Sequence, residues 1–130
     1  MRFVTVISVA GTFLGQVYNR RMTTTWFDSM QAELENGEAA RARGNEGMAR
    51  VCARRAAGYA AAEYFKRMGI DFRNPSAYER LRYLQTLPNV PEDVRAACAA
   101  LTLRVDTEYR LPPEVDLLRE SRRLMAWLCD

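Results

Sequence analysis

The amino-acid sequence predicts an all-α protein, a single up-and-down bundle of four to five helices. Alanine, glutamate, lysine, leucine and arginine supply 54 of the 109 residues from Met22 onward, which is a helix-rich composition. No segment after Met22 alternates apolar and polar residues with the period of a strand, so we expect no sheet there. Glycines and prolines divide this part into segments with helical spacing, and the short breaks between them predict mostly antiparallel neighbours.

The start of the chain differs from the rest. Residues 3–14 form an apolar run of 12, shorter than the roughly 20 residues that a membrane-spanning helix needs. The first 21 residues hold three arginines and no acidic residue, so they account for the whole formal charge of +3. We therefore divide the chain into an N-terminal extension, residues 1–21, and a helical-bundle domain, residues 22–130. A poorly ordered tail, an element docked on the domain and a signal peptide stay open as interpretations of the extension.

The first helix is expected from about Thr25 to Arg43, and a threonine is suited to cap its start. Gly37 lies inside this helix and is expected to kink or weaken it. The apolar stripe of the helix consists of Trp26, Phe27, Met30 and Leu34.

The second helix is expected to be the centre of the bundle. Gly44 suits the end of the first helix and Asn45 suits the start of the second, which runs to about Met68 before Gly69. Seven alanines along it would let neighbouring helices approach closely. The residues predicted to share its inward face are Met48, Val51, Cys52, Tyr59 and Ala62.

Prolines mark the remaining three helices. Asn74-Pro75 opens a third helix through Leu87, Pro91 opens a fourth, and a fifth spans about 113–129. The inward residues of these helices are predicted to be Ala77, Leu81 and Leu84; Val94, Ala97, Cys98, Leu101 and Val105; and Leu118, Met125 and Leu128, joined by Leu117, Leu124 or Trp127.

Residue types that the chain lacks exclude several activities. The sequence has no histidine, which removes histidine-ligated zinc, Ser-His and Cys-His nucleophiles and histidine acid–base catalysis. The three cysteines are far apart and have no metal-ligand spacing, so we expect no metal and no cofactor. An odd number of scattered cysteines favours a reducing, cytoplasmic compartment, and we expect no membrane association.

Charge is segregated along the chain. Residues 41–82 hold ten basic and four acidic residues, a net charge of +6, while residues 22–40 carry −4 and residues 83–130 carry −2. All the basic residues except Lys66 are arginines, which favour planar, bidentate contacts. The block is typical of nucleic-acid binding, and a GC-rich genome would produce the same preference for arginine.

Two pairs at helical spacing predict surface ion pairs on the second helix. Glu46 precedes Arg50 by four residues, and Glu63 precedes Arg67 by four. We therefore expect Arg50 to be solvated and paired. The start of this helix at Asn45, between two glycines, is suited to an anion, or it is a plain helix–helix turn.

Arg55 falls in the middle of the predicted inward face, whereas Arg54 falls on the other side. A buried guanidinium requires a partner. The candidate partners are Asp28, Asp106 and Glu108, and the alternative is that Arg55 faces a ligand. The candidate ligand or interface residues are Asn45, Arg50, Arg54, Arg55 and Arg110.

Most of residues 25–129 resembles the higher eukaryotes and prokaryotes nucleotide-binding (HEPN) domain family. The resemblance is carried by the long first helix, the Gly-Asn break, the segment ARVCARRAAGYAAAEYFKRMGI, the run Arg104…Tyr109-Arg110-Leu111-Pro112 and the ending Met-Ala-Trp-Leu. It implies a helical bundle, commonly a homodimer, and many members are ribonucleases or toxins of toxin–antitoxin pairs with a nucleotidyltransferase-type partner. The family's active motif is an arginine, four to six residues and a histidine.

In this chain Arg104 matches the motif arginine, and Tyr109 stands where a four-residue spacer would place the histidine. Tyrosine does not replace a general base near neutral pH. We therefore predict a non-catalytic, HEPN-like binding or regulatory module for nucleotide, RNA or a protein partner. The alternatives are a residual ribonuclease or toxin that uses Arg104 and Tyr109, and a purely structural interaction bundle.

Overall fold

The computed structural model describes residues 25–103 and 115–129, and over these ranges it is all-helical, as predicted. Each helix packs against the next one along the chain, and the fifth returns to the first and second. The second helix contacts the other four, which confirms its central position. In chain order the helices are α1 Trp26–Ala42, α2 Glu46–Arg67, α3 Ala77–Leu84, α4 Glu92–Leu101 and α5 Leu117–Cys129. None of these helices is long and apolar enough to cross a membrane.

The connection between α1 and α2 has the predicted caps. The Thr25 hydroxyl accepts a hydrogen bond from the Asp28 N–H at 3.0 Å. Gly44 follows the end of α1 with φ of 81°, a left-handed conformation that glycine adopts without steric cost. The Asn45 Oδ1 atom accepts from the Met48 N–H at 3.0 Å and so caps α2.

The predicted bounds of α3 are wrong at both ends. The Ser76 hydroxyl, not Asn74-Pro75, caps the helix by accepting from the Glu79 N–H at 3.2 Å. The Asn74 side chain instead accepts from the Ser76 N–H at 2.9 Å, which makes a turn before the helix. The helix ends at Leu84, three residues before the predicted end.

Arg95 fixes the loop between α3 and α4. Its guanidinium donates to the backbone carbonyl oxygens of Gln85, Leu87 (3.2 Å) and Val90 (2.9 Å). These carbonyls follow a helix end and have no helical partner, so one planar side chain satisfies three acceptors.

The last two helices are shorter than predicted. α4 ends at Leu101, where the Thr102 hydroxyl donates to the Cys98 carbonyl at 2.9 Å. The predicted inward residue Val105 lies outside the described residues. α5 begins at Leu117 rather than near residue 113.

The buried face of α2 consists mainly of small residues. They are Ala49, Cys52, Ala53, Ala56, Ala57, Ala60 and Ala61, with Tyr64 and Phe65 toward the end of the helix. The predicted inward face is therefore wrong for Met48, Val51 and Tyr59, which are exposed. Alanines let the backbones of neighbouring helices come close, and this close approach, rather than the size of the apolar side chain, decides which side of α2 is buried.

Most of the other predicted core positions are confirmed. The buried members are Cys52, Met30, Leu34, Leu81, Leu84, Val94, Ala97, Cys98, Leu101, Leu117, Leu118, Leu124 and Leu128. Phe27 is the exception on α1, because its side chain is 40% exposed. α1 runs through Gly37 as one helix, and a Cβ there would lie 3.2 Å from the Cys52 Cβ on α2 and 2.7 Å from the end of the Leu118 side chain on α5. Gly37 therefore lies where α1 closely approaches α2.

Candidate functional site

The predicted motif residues Arg104, Tyr109 and Arg110 lie outside the described residues. The described part of α4 ends at Leu101, three residues before Arg104. The site below is therefore built from the remaining candidates.

Asn45 and Glu46, at the start of α2, form contacts that stabilise the fold. The Asn45 side chain caps α2, and the backbone N–H of Asn45 donates to the Ala40 carbonyl at 2.8 Å. Glu46 accepts from Arg41 at 2.8 Å. The described residues show no Glu46–Arg50 ion pair at contact distance, so that predicted pair is wrong as a contact, although the Arg50 charge helps to lower the pKa of Glu46. Arg41 also contacts Asp116 at 3.1 Å and so joins the end of α1 to the starts of α2 and α5.

Arg41, Glu46 and Asp116 form a cluster, and its charges shift the pKa values of the two acids. The hydrogen bond from Arg41 lowers the pKa of Glu46. Burial alone would raise the pKa of Asp116, but hydrogen bonds from Arg41 and from the Arg119 N–H outweigh it and lower that pKa. The cluster therefore stabilises the contact between the end of α1 and the starts of α2 and α5.

Arg54 also has a structural role. It is half-buried, and its Nε donates to the Leu101 carbonyl at 3.0 Å, which ties α2 to the end of α4. Burial lowers the pKa of its guanidinium, and the neighbouring charge of Arg50 lowers it further. The other predicted surface pair, Glu63–Arg67, is confirmed at 2.9 Å.

Arg55 is exposed, which contradicts its predicted place on a buried face. No carboxylate among the described residues lies within ion-pair distance of it, so Asp28 is not its partner. The other two proposed partners, Asp106 and Glu108, lie outside the described residues. Arg55 instead lines a cleft between α2 and the start of α3.

This cleft, called here the arginine cleft, has a volume of about 200 Å³. It is lined by Glu33, Arg55, Gly58, Tyr59, Pro75, Ala77 and Arg80. Arg80 is held at the start of α3 because its Nε donates to the Asn74 carbonyl at 3.1 Å. The ring of Tyr59, four residues after Arg55, stands at the edge of the cleft and is exposed.

Gly58 brings the two arginines to the same cleft. A Cβ at Gly58 would lie 2.8 Å from the Ala77 Cβ, so the start of α3 contacts α2 only because residue 58 has no side chain. Sequence patterns did not predict that Arg80 and Tyr59 line one cleft with Arg55, or that α3 contacts α2 at Gly58. The available signal was the glycine in the middle of an alanine-rich helix, which marks a close backbone approach.

The cleft has a net positive lining with one carboxylate. Arg55 and Arg80 contribute two guanidinium groups, and Glu33 contributes the carboxylate. Burial raises the pKa of the Cys52 thiol and the Glu33 charge raises it further, so this cysteine is not an activated nucleophile. Over the described ranges no group of three histidine, cysteine or acidic side chains is arranged to hold a metal ion.

Two guanidinium groups beside an exposed aromatic ring suit a phosphate-bearing ligand. Arginine binds phosphate oxygens through paired N–H groups. A tyrosine ring offers a face for a base to stack on, and a carboxylate accepts hydrogen bonds from hydroxyl or amino groups. Comparison with protein-family models, with curated proteins and with solved structures found no match to this chain.

Proposed function

We propose that the chain is a non-catalytic, HEPN-like binding module that holds a phosphate of RNA or of a nucleotide in the arginine cleft. The observation that carries the proposal is that Arg55 and Arg80, from two different helices, line one cleft beside the exposed ring of Tyr59. The basic block of residues 41–82 contains all three residues and supplies a positive field around the cleft.

The proposal assigns no chemistry to the cleft. Ribonuclease action near neutral pH needs a group that takes up a proton in that range. The sequence has no histidine, and the acid in the cleft, Glu33, is a carboxylate suited to accepting hydrogen bonds from a ligand.

Binding of a labelled single-stranded RNA and of nucleoside monophosphates tests the proposal. Arg55→Ala and Arg80→Ala should each weaken binding about tenfold, because each removes a charge-assisted contact. Each should also reduce the slope of log affinity against log salt by about 0.7. Arg73→Ala is the matched control, because Arg73 is 87% exposed, pairs with Asp71 and does not line the cleft.

If Arg73→Ala weakens binding as much as the two cleft variants do, the arginine cleft is not a specific binding site. The RNA would then be held only by the general positive charge of the basic block. Comparing the RNA with the monophosphates separates a polynucleotide ligand from a free nucleotide. If the ligand is a free nucleotide, the protein should bind the monophosphate as tightly as it binds the RNA.

A residual ribonuclease that uses Arg104 and Tyr109 is the alternative. Incubation of RNA with the wild-type chain and with Arg104→Ala tests it, and we expect no cleavage by either. Cleavage that Arg104→Ala abolishes would replace the binding proposal with the enzymatic one. A nucleotidyltransferase-type partner and a toxin–antitoxin role stay predictions of the resemblance.

A further inference from the structure

An open groove with an apolar floor lies between α1 and α5 and has a volume of about 440 Å³. Phe27, on the first turn of α1, lines it and is 40% exposed. Leu34 of α1 and the α5 residues Met125 and Ala126 line it as well. The groove therefore presents apolar surface that none of the described residues covers.

The start of α1 and the end of α5 lie side by side at one end of this groove. Arg67 joins them, because its guanidinium donates to the Leu128 carbonyl at 2.8 Å and lies 5.6 Å from the centre of the Trp26 ring. Cys129 lines the groove at this end and is exposed. The chain that precedes α1 therefore joins the bundle at the Cys129 end of the groove.

The apolar run of residues 3–14 in the N-terminal extension is long enough to fill the groove. Phe27 and Glu38 mark eleven residue steps of α1, which correspond to about 17 Å of groove. A helix of twelve residues would be about 18 Å long, and an extended segment would be longer. Residues 15–24, which join the run to Thr25, can span up to about 33 Å. The run can therefore reach every part of the groove.

The charges of the extension and of the groove are opposite. Residues 1–21 contain three arginines and no acidic residue. The groove is lined by Glu35, Glu38 and Arg122, and the last two already pair with each other. Glu35 accepts a hydrogen bond from Gln31 at 3.4 Å but has no basic partner within ion-pair distance among the described residues. One carboxylate at the groove thus remains to attract the basic extension.

A segment joined to the start of α1 has an advantage over any separate molecule. Ten residues between the run and Thr25 hold it near the groove at an effective concentration on the order of millimolar. The apolar side chains of the run gain free energy by leaving water, and so does the exposed ring of Phe27. A second copy or a foreign protein would have to displace this segment from solution.

We propose that residues 3–14 dock in the α1–α5 groove, antiparallel to α1, with Thr12 at the Cys129 end. The antiparallel direction follows from the connection, because a short link between neighbouring segments favours it. The proposal selects the docked element among the three interpretations of the extension and names its place. It does not depend on ligand binding in the arginine cleft.

Disulfide formation in the full chain tests the docking. Cys129 is a natural reporter, because Cys52 and Cys98 are buried. Thr12→Cys places a thiol near Cys129 in the docked run, whereas the matched control Thr5→Cys places it toward the other end of the groove. Under mild oxidation at low micromolar concentration, Thr12→Cys should form the disulfide to Cys129 at least about tenfold faster than Thr5→Cys does. Peptide mapping by mass spectrometry identifies each bond.

An undocked tail would give a different result. The two rates would then lie within about twofold of each other, because contact between tethered groups falls only as roughly the −3/2 power of tether length. Such similar rates, or a faster reaction of Thr5→Cys, overturn the proposal. A disulfide between two chains in place of the intrachain bond would identify a second copy as the occupant and would overturn it too.

A variant of the groove tests whether the run docks at this place. In the Thr12→Cys background, Phe27→Glu puts a carboxylate in the apolar floor and should slow the disulfide to the rate of Thr5→Cys. Met48→Glu is the matched control, since Met48 is 41% exposed on α2 and does not line the groove, and it should leave the rate unchanged. Helical circular dichroism establishes that each variant is folded. A folded Phe27→Glu variant that forms the disulfide at the full rate contradicts docking in this groove.

Discussion

Replacement of Gly58 by alanine should destabilise the protein, against the usual effect of that substitution in a helix. Gly58 is buried in the middle of α2. A Cβ there would lie 2.8 Å from the Ala77 Cβ and 3.2 Å from the Ala77 Cα. Carbon atoms in contact are normally about 3.5–4.0 Å apart, so the start of α3 would have to retreat by roughly 1 Å.

Two effects of opposite sign set the magnitude. Alanine favours the helix over glycine by about 1 kcal/mol. Inserting a methyl group into a packed contact costs about 1–3 kcal/mol. The Ala77 atoms cannot rotate away, because they are the backbone and the Cβ of α3. We therefore expect the free energy of unfolding to fall by about 0–2 kcal/mol.

Gly47→Ala is the matched control on the same helix. A Cβ at Gly47 would meet only the Asn45 Oδ1 atom, at an ordinary 3.8 Å. This variant should gain up to about 1 kcal/mol from helix propensity alone. Urea unfolding followed by circular dichroism measures both variants, with equal m-values as the condition for comparing them. If Gly58→Ala is stabilised as much as Gly47→Ala, the close contact of α3 with α2 is wrong.

Three further predictions concern groups outside the arginine cleft. Ser121→Ala should raise the free energy of unfolding by about 1 kcal/mol in urea unfolding, because the fully buried Ser121 hydroxyl finds no hydrogen-bond partner among the described residues. Arg41→Met should lower the free energy of unfolding at pH 7 and make it depend less on pH in the acid range. In the wild type the pKa values of Glu46 and Asp116 are lowered by folding, so these groups stabilise the chain above about pH 4. That stabilisation is lost as the pH falls through the pKa values of the folded state. Burial raises the pKa of Cys98 to about 12, so at pH 8 this thiol should react with a disulfide reagent only when the chain unfolds, and rapid reaction of the folded chain would contradict its burial.

The features that could be predicted from the sequence are those that depend on neighbouring residues. Thr25 and Asn45 cap their helices, and Gly44 ends α1, because each acts within four residues of itself. The all-α class follows from the same local preferences, which agree over five segments. The cap of α3 is the local exception, since Ser76 and Asn74 are both capping residues and the chain uses them in succession.

The orientation of α2 could not be predicted from apolar periodicity. The helix has apolar residues all round, and helical spacing grouped Met48, Val51 and Tyr59 on one predicted inward face. In the folded chain the alanine side is buried because four helices approach it closely, and the larger residues remain outside. The same error puts Arg55 on the predicted inward face, whereas this residue is exposed.

The arginine cleft depends on distant parts of the chain. Arg55 and Arg80 are 25 positions apart, and only the contact of Gly58 with Ala77 brings them together. Charge counting identified the basic block that contains both arginines. It could not separate Arg54, which ties α2 to α4, from its neighbour Arg55, which faces the cleft.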